Sequence, residues 1–253
     1  MKVGGFVDLI FNLVIAIVPT IILCFYVYKM DVIEKEPTNM LLRLFFLGIL
    51  ITIPVAFIEQ SFLSFTGLEE SDYLNCFIIS FFIVALVEEL FKYVVLYLGT
   101  WNNKHFDHIY DAIVYAVFIS LGFATLENIL YVVESINVNS LQVGIMRALI
   151  SVPAHAFYAV ASGYYLGLAK LNHSIGYRKN EIFYKTLSLL IPILMHGIFD
   201  FFLLTGNQLH IAFFYGFVAI LYFVSYFNIK KTSSVQMTSS LQDLGGDKDE
   251  GDI

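Results

Sequence analysis

The chain has 253 residues, 58% of them hydrophobic, 17% aromatic and only 14% charged. That balance lies far to the apolar side of soluble globular proteins and marks an integral membrane protein. The formal net charge of −7 comes largely from the closing segment DLGGDKDEGDI, so the apolar body carries no basic patch and nucleic-acid binding is excluded.

Spanning a bilayer takes about 20 mostly apolar residues at ~1.5 Å rise per residue. Seven segments meet that need: 6–28, 41–59, 75–98, 109–133, 144–169, 183–204 and 210–228. The first run is too long for a signal-peptide core and has no small-residue cleavage site behind it, which predicts a retained span. The connectors, such as KMDVIEKEPTN and KLNHSIGYRKN, carry the charge and turn signals. From Lys230 the chain is Ser/Thr-rich and then acidic, which predicts disorder. The expected architecture is therefore all-α: a polytopic membrane domain over 1–229 with about seven transmembrane helices around a polar site, and an acidic cytoplasmic tail over 230–253. Cys24 and Cys76 fall near opposite faces of this bundle, too far apart to bridge, and read as small buried hydrophobes.

Basic residues near the span ends set the orientation. Alternate connectors collect Lys29, Lys35, Arg43, Lys104, Lys170, Arg178, Lys179, Lys185, Lys230 and Lys231 on one side, against Lys2 and Arg147 on the other. The first side is expected to be cytoplasmic, with the N-terminus outside and the C-terminus inside.

Against this apolar background, acids and histidines stand inside four spans: Glu88, Glu89 and Lys92 in ALVEELFKYVVLYL, Glu127 and Asn128 in GFATLENILYVV, His155 in SVPAHAFYAVASGYYLG, and His196 and Asp200 in LIPILMHGIFDFFLL. Each such group costs about 2.5–3.5 kcal/mol at the membrane centre even on lenient scales, so it persists only where it is paired or used. Lys92 is i,i+4 from Glu88 and i,i+3 from Glu89, so one ammonium offsets only part of two carboxylates. Two acids in a low-dielectric site suit general acid–base work. The plainer role for Glu88 and Lys92 is an ion pair holding two spans together.

His196 and Asp200 are also i,i+4, a spacing that lets the acid orient the imidazole or lets both approach one metal ion. Glu127 adds a third carboxylate, and Asn128 an amide suited to an oxyanion or to a plain interhelical hydrogen bond. Counting along the spans at ~1.5 Å per residue puts Glu88, His155, His196 and Glu127 in the middle and outer half. Asp111 falls at the cytoplasmic end, outside the cluster, and Arg147 is expected to pair with Glu134 or to snorkel to the headgroups.

These motifs, in this order, resemble the PrsW family of intramembrane proteases, related to the CAAX-processing and bacteriocin-immunity proteases. The resemblance rests on Asp31 with EKEP at Glu34 to Pro37, EELFK at Glu88 to Lys92, DAIVYA from Asp111, GFATLEN ending at Glu127 and Asn128, the span with Arg147 and His155, and HGIFD from His196 to Asp200. It implies cleavage of a single-span membrane protein, typically an anti-sigma factor, on its extracytoplasmic side during envelope stress. It also implies a metallopeptidase or a glutamate-activated water.

Neither HExxH nor its inverse occurs. The expected mechanism has Glu88 or Glu89 as general base, with His155 and His196 ligating a metal or stabilising the oxyanion. If a zinc-like divalent ion is present, His155, His196 and Glu127 or Glu88 supply three ligands, with Asp200 behind His196 and Lys92 and Asn128 orienting. Two other classes share these residues: a proton-coupled transporter, for which no internal repeat is visible, and a catalytically silent scaffold that binds peptide helices.

Overall fold

A computed structural model of the chain describes residues 3–31, 34–135 and 140–206, with Phe214, Gly216, Val218, Ala219 and Phe223 beyond them. Six helices are long and apolar enough to cross a membrane. They are α1 (Val3–Met30), α2 (Thr38–Thr66), α3 (Tyr73–Thr100), α4 (Ile109–Glu134), α5 (Ser140–Ser174) and α6 (Arg178–Thr205). The all-α polytopic architecture is borne out. The seventh expected span, 210–228, lies outside the described residues except for the five just named, which are helical, and the tail at 230–253 lies wholly outside.

The helices overrun the apolar segments because their stop signals sit in the connectors. Pro37 precedes α2, and Gly67 ends it in a left-handed conformation at φ 62°. The Asp72 carboxylate caps α3 by accepting the Asn75 N–H at 2.9 Å. Asp111, in the first turn of α4, accepts the backbone N–H groups of Asp107 and His108 at 3.1 and 2.6 Å. These caps satisfy donors that the helix itself leaves orphaned.

Helix α4 is the hub. Every residue from Tyr110 to Thr125 is buried, as expected of a helix that is apolar all round. Helices α1, α2 and α5 pack around it, and α6 pairs with α5. The α2–α4 crossing is close enough that a Cβ on Gly48 would overlap the Ile119 backbone, and one on Gly122 the Phe45 backbone. The outward faces carry exposed Ile53, Phe57, Phe65 and Leu98, suited to lipid contact. Both cysteines are buried and free.

Helices α3 and α5 each contain a π-helical stretch, Ile79–Ala85 and Arg147–Ser151. Each ends about one turn before a polar residue of the four-span set, Glu88 in α3 and His155 in α5. Such irregularities re-aim the side chains that follow and recur at functional sites.

Candidate active site

Glu88, Glu89 and Lys92 occupy the inward face of α3 at 3%, 4% and 6% exposure. The Lys92 ammonium donates to Glu88 Oε2 at 2.7 Å and to Glu89 Oε1 at 2.9 Å. It lies 4.1 Å from the centre of the Phe123 ring on α4 and faces His155 Nδ1 at 3.4 Å. The i,i+3 and i,i+4 spacing thus lets one cation grip both acids from the same helix.

Helix α6 brings His196 against this pair. Its Nδ1 faces Glu89 Oε1 at 3.0 Å and Glu88 Oε2 at 3.9 Å, while Nε2 faces Asp200 Oδ2 at 3.2 Å. The Tyr158 ring of α5 stacks on His196 at 4.8 Å, and the two histidine rings lie 5.6 Å apart, nearly perpendicular.

On the α4 side, Glu127 Oε2 faces His155 Nε2 at 2.9 Å and takes a salt bridge from Arg147 at 2.8 Å. Arg147 Nε donates to the Asn128 amide oxygen at 2.7 Å, and its guanidinium lies over the Tyr131 ring at 4.0 Å. Asn128 Nδ2 donates to the Ala16 carbonyl at 3.4 Å, so both ends of this buried amide are engaged between helices. Two expectations change here. Arg147 neither pairs with Glu134 nor snorkels, because in a low-dielectric interior the nearer carboxylate of Glu127 holds it. Asn128 thus holds that arginine through its amide oxygen, with one of its two N–H donors taken by the Ala16 carbonyl.

The residues predicted from four separate spans, Glu88, Glu89, Lys92, Glu127, His155, His196 and Asp200, form one connected network. Two members were missed. Glu59 sits about two turns inside the end of α2 with its Oε1 buried and unpartnered, and its charged neighbours are Glu88, Glu127, His196 and Lys92. Its sequence position at the end of an apolar run made it look like a connector residue. Tyr158, with a buried hydroxyl that has no hydrogen-bond partner, was hidden among 16 tyrosines; its place three residues after His155, on the same helix face, was the available signal. A cavity of about 10 Å3, room for one water, is lined by Glu89, Lys92, Ser120 and Ser162 among others.

A profile of the family described as PrsW family intramembrane metalloprotease matches residues 36–228. The chain belongs to the PrsW family. It is 36% identical to Protease PrsW of Oceanobacillus iheyensis over 86% of this chain and 94% of that one. Protease PrsW of Bacillus subtilis is 36% identical over 87% and 95%, and that of Clostridioides difficile 34% identical over 86% and 89%. No solved structure matches. The protein is accordingly an intramembrane protease with several membrane-crossing helices, and the transporter reading falls away.

The family description includes a metal, and the donor set of this PrsW chain fits one. The carboxylate oxygens of Glu88 and Glu89 and an imidazole nitrogen of His196 all lie within 4.8 Å of one another. A neutral imidazole can donate through only one nitrogen, so with Asp200 on Nε2 the other nitrogen is left free to ligate. The ligands expected from the sequence, His155, His196 and Glu127 or Glu88, overlap this convergent set at His196 and Glu88. Glu127 is taken by Arg147, and His155 lies between Glu127 and the Lys92 ammonium.

Proposed function

We propose that this protease hydrolyses a peptide bond of a single-span membrane protein of the anti-sigma-factor type, near its extracytoplasmic face, through a water activated by Glu88, Glu89 and His196. The observation that carries this reading is the convergence of two buried carboxylates and one imidazole from α3 and α6, beside a cavity with room for a water. Glu89 is the base: it faces both His196 and the cavity, so it can take the proton of an attacking water and return it to the leaving amine. Lys92 holds the two carboxylates in register and limits their mutual repulsion. His155 is held with one ring nitrogen on Glu127 and the other facing the Lys92 ammonium, so the unpartnered hydroxyl of Tyr158 is the donor suited to the developing oxyanion. Where a divalent ion binds, Glu88, Glu89 and His196 would hold it, with Asp200 behind His196; it would supply a Lewis acid and an acidified water.

Two observations support cleavage on the outer side. Glu59, Glu127 and Asp200 all lie within about two turns of the helix ends on the side of the α2–α3 connector. That connector has no Lys or Arg, whereas the opposite connectors carry Lys29, Lys35, Lys104, Lys170, Arg178 and Lys179, which supports an outward-facing site with the N-terminus outside. The test is co-expression with tagged single-span substrates. Fragments should appear with the wild type and vanish with Glu88→Gln, Glu89→Gln and His196→Ala at equal protein levels; cleavage that persists in all three would sink the assignment.

A further inference from the structure

A second group of buried acids lies at the other end of the bundle, ~24 Å along α4 from Glu127 at 1.5 Å per residue. Asp31 follows the last residue of α1, Glu36 stands just before α2, and Asp111 is in the first turn of α4; they are 0%, 4% and 1% exposed. One carboxylate oxygen from each lies within 4.8 Å of the other two. Asp111 Oδ2 already accepts two backbone N–H groups, and Glu36 Oε2 accepts the Tyr115 hydroxyl at 2.6 Å. Asp31 is different: among the described residues its two buried carboxylate oxygens make no hydrogen bond of ordinary geometry, the Glu36 backbone N–H lying only near enough to favour the charged form.

Among the described residues, side-chain cations offset this charge only in part. The Lys35 ammonium donates to the backbone carbonyls of Tyr28 and Asp31 at 3.0 and 3.2 Å and lies over the Tyr28 ring, leaving the Asp31 and Glu36 carboxylates without a salt bridge. The His108 imidazole faces Asp107 at 2.5 Å and Asp111 at 3.8 Å, at the rim. Burial pushes the Asp31 carboxyl up to about 6 and the Glu36 carboxyl up to about 7, the cost of placing acids there with too little positive charge. The C-terminal end of α1, with its partial negative charge, points to the same place.

We infer that Asp31, Glu36 and Asp111 form a binding site for a hard divalent cation, Mg2+ or Ca2+, that ties the end of α1 and the start of α2 to the start of α4. Three carboxylates and no thiolate or imidazole make an all-oxygen set, the preference of these ions rather than of zinc. The site is separate from the proteolytic centre, and its role is to fix the three helices around which the rest of the bundle packs.

The test uses the purified full chain in detergent micelles, stripped of metal with a chelator. Thermal unfolding is followed with and without Mg2+ or Ca2+, alongside terbium luminescence sensitised by Tyr115, whose hydroxyl rests on Glu36. Wild type should be stabilised by one of the two ions and should show sensitised emission that the same ion displaces. The ion giving the larger shift names the occupant. Asp31→Asn and Glu36→Gln should weaken binding by about 10–100-fold or more, on the scale of metal-site lesions. Glu89→Gln should keep the full response. Without metal, Asp31→Asn should unfold no lower than wild type, because an unpaired buried charge is gone; loss of the response there is then loss of the site and not of the fold. The inference is overturned if wild type shows no cation response, if the response survives Asp31→Asn and Glu36→Gln, or if Glu89→Gln abolishes it.

Discussion

Lys92→Met keeps the length of the side chain and removes the one ammonium that, among the described residues, is held by Glu88 and Glu89. Lys92, Glu88 and Glu89 are all buried, with charge-assisted bonds of 2.7 and 2.9 Å. Breaking a buried pair by deleting one partner costs about 3–5 kcal/mol, and with two bonds lost the effect should fall near ~4 kcal/mol, roughly a thousandfold in the unfolding equilibrium. Adding Glu88→Gln to Lys92→Met should recover much of this. One of the two stranded charges is removed, and Glu89 keeps its contact with His196 at 3.0 Å. The double variant should therefore lose only about 1–2 kcal/mol, a recovery of roughly 2–3 kcal/mol over Lys92→Met alone. Denaturant-induced unfolding in mixed micelles reads both values. A Lys92→Met cost below about 1 kcal/mol, or a double variant that loses the sum of the singles, would refute the argument that this ammonium is what makes the paired acids tolerable. Proteolysis should be lost in both variants, so recovered stability without recovered cleavage separates the structural from the chemical role.

Tyr158→Phe should lower the cleavage rate by about 100- to 1000-fold, as for loss of an oxyanion donor, with the melting temperature unchanged or raised because an unpartnered buried hydroxyl disappears; an unchanged rate would make the hydroxyl a spectator. Arg147→Met should destabilise by about 3 kcal/mol and reduce cleavage, since Glu127 loses its partner and His155 its orientation; a stable, fully active variant would contradict this. Gly122→Leu drives a side chain into the Phe45 backbone and should lower the yield of folded protein severely, whereas Gly67→Ala, a strained left-handed turn position with open space around it, should cost only about 1 kcal/mol. Chelation should reduce activity reversibly if an ion is held by Glu88, Glu89 and His196, and metal content at that site should then fall in His196→Ala.

Much of the site was legible because hydrocarbon makes polar residues conspicuous. Glu88, Glu89, His155, His196, Glu127 and Asp200 stood out against apolar runs, and the i,i+4 spacing anticipated both the Lys92–Glu88 bond and the His196–Asp200 contact. What stayed hidden depended on helix length, local winding and packing. Glu59 looked terminal because the apolar run ends there, yet α2 continues to Thr66. Arg147 reaches Glu127 from a π-helical stretch, where ordinary helix periodicity gives the wrong direction for the side chain. Counting residues spreads the site groups over different depths, while in the packed bundle their side chains meet in one network. The trio of Asp31, Glu36 and Asp111 becomes a cluster only once α1, α2 and α4 are packed, and the sequence shows Asp111 only as an acid at the cytoplasmic end, apart from the four-span set.

The central claim is that Glu88, Glu89 and His196 activate the hydrolytic water. It is tested most directly by reconstituting the purified protein with a tagged single-span anti-sigma-type substrate in heavy-oxygen water and examining the fragments by mass spectrometry. Wild type should release a fragment carrying one heavy oxygen at its new carboxyl end, and Glu89→Gln, folded to the same melting temperature within a few degrees, should release none. Cleavage by Glu89→Gln at the wild-type rate would contradict the account.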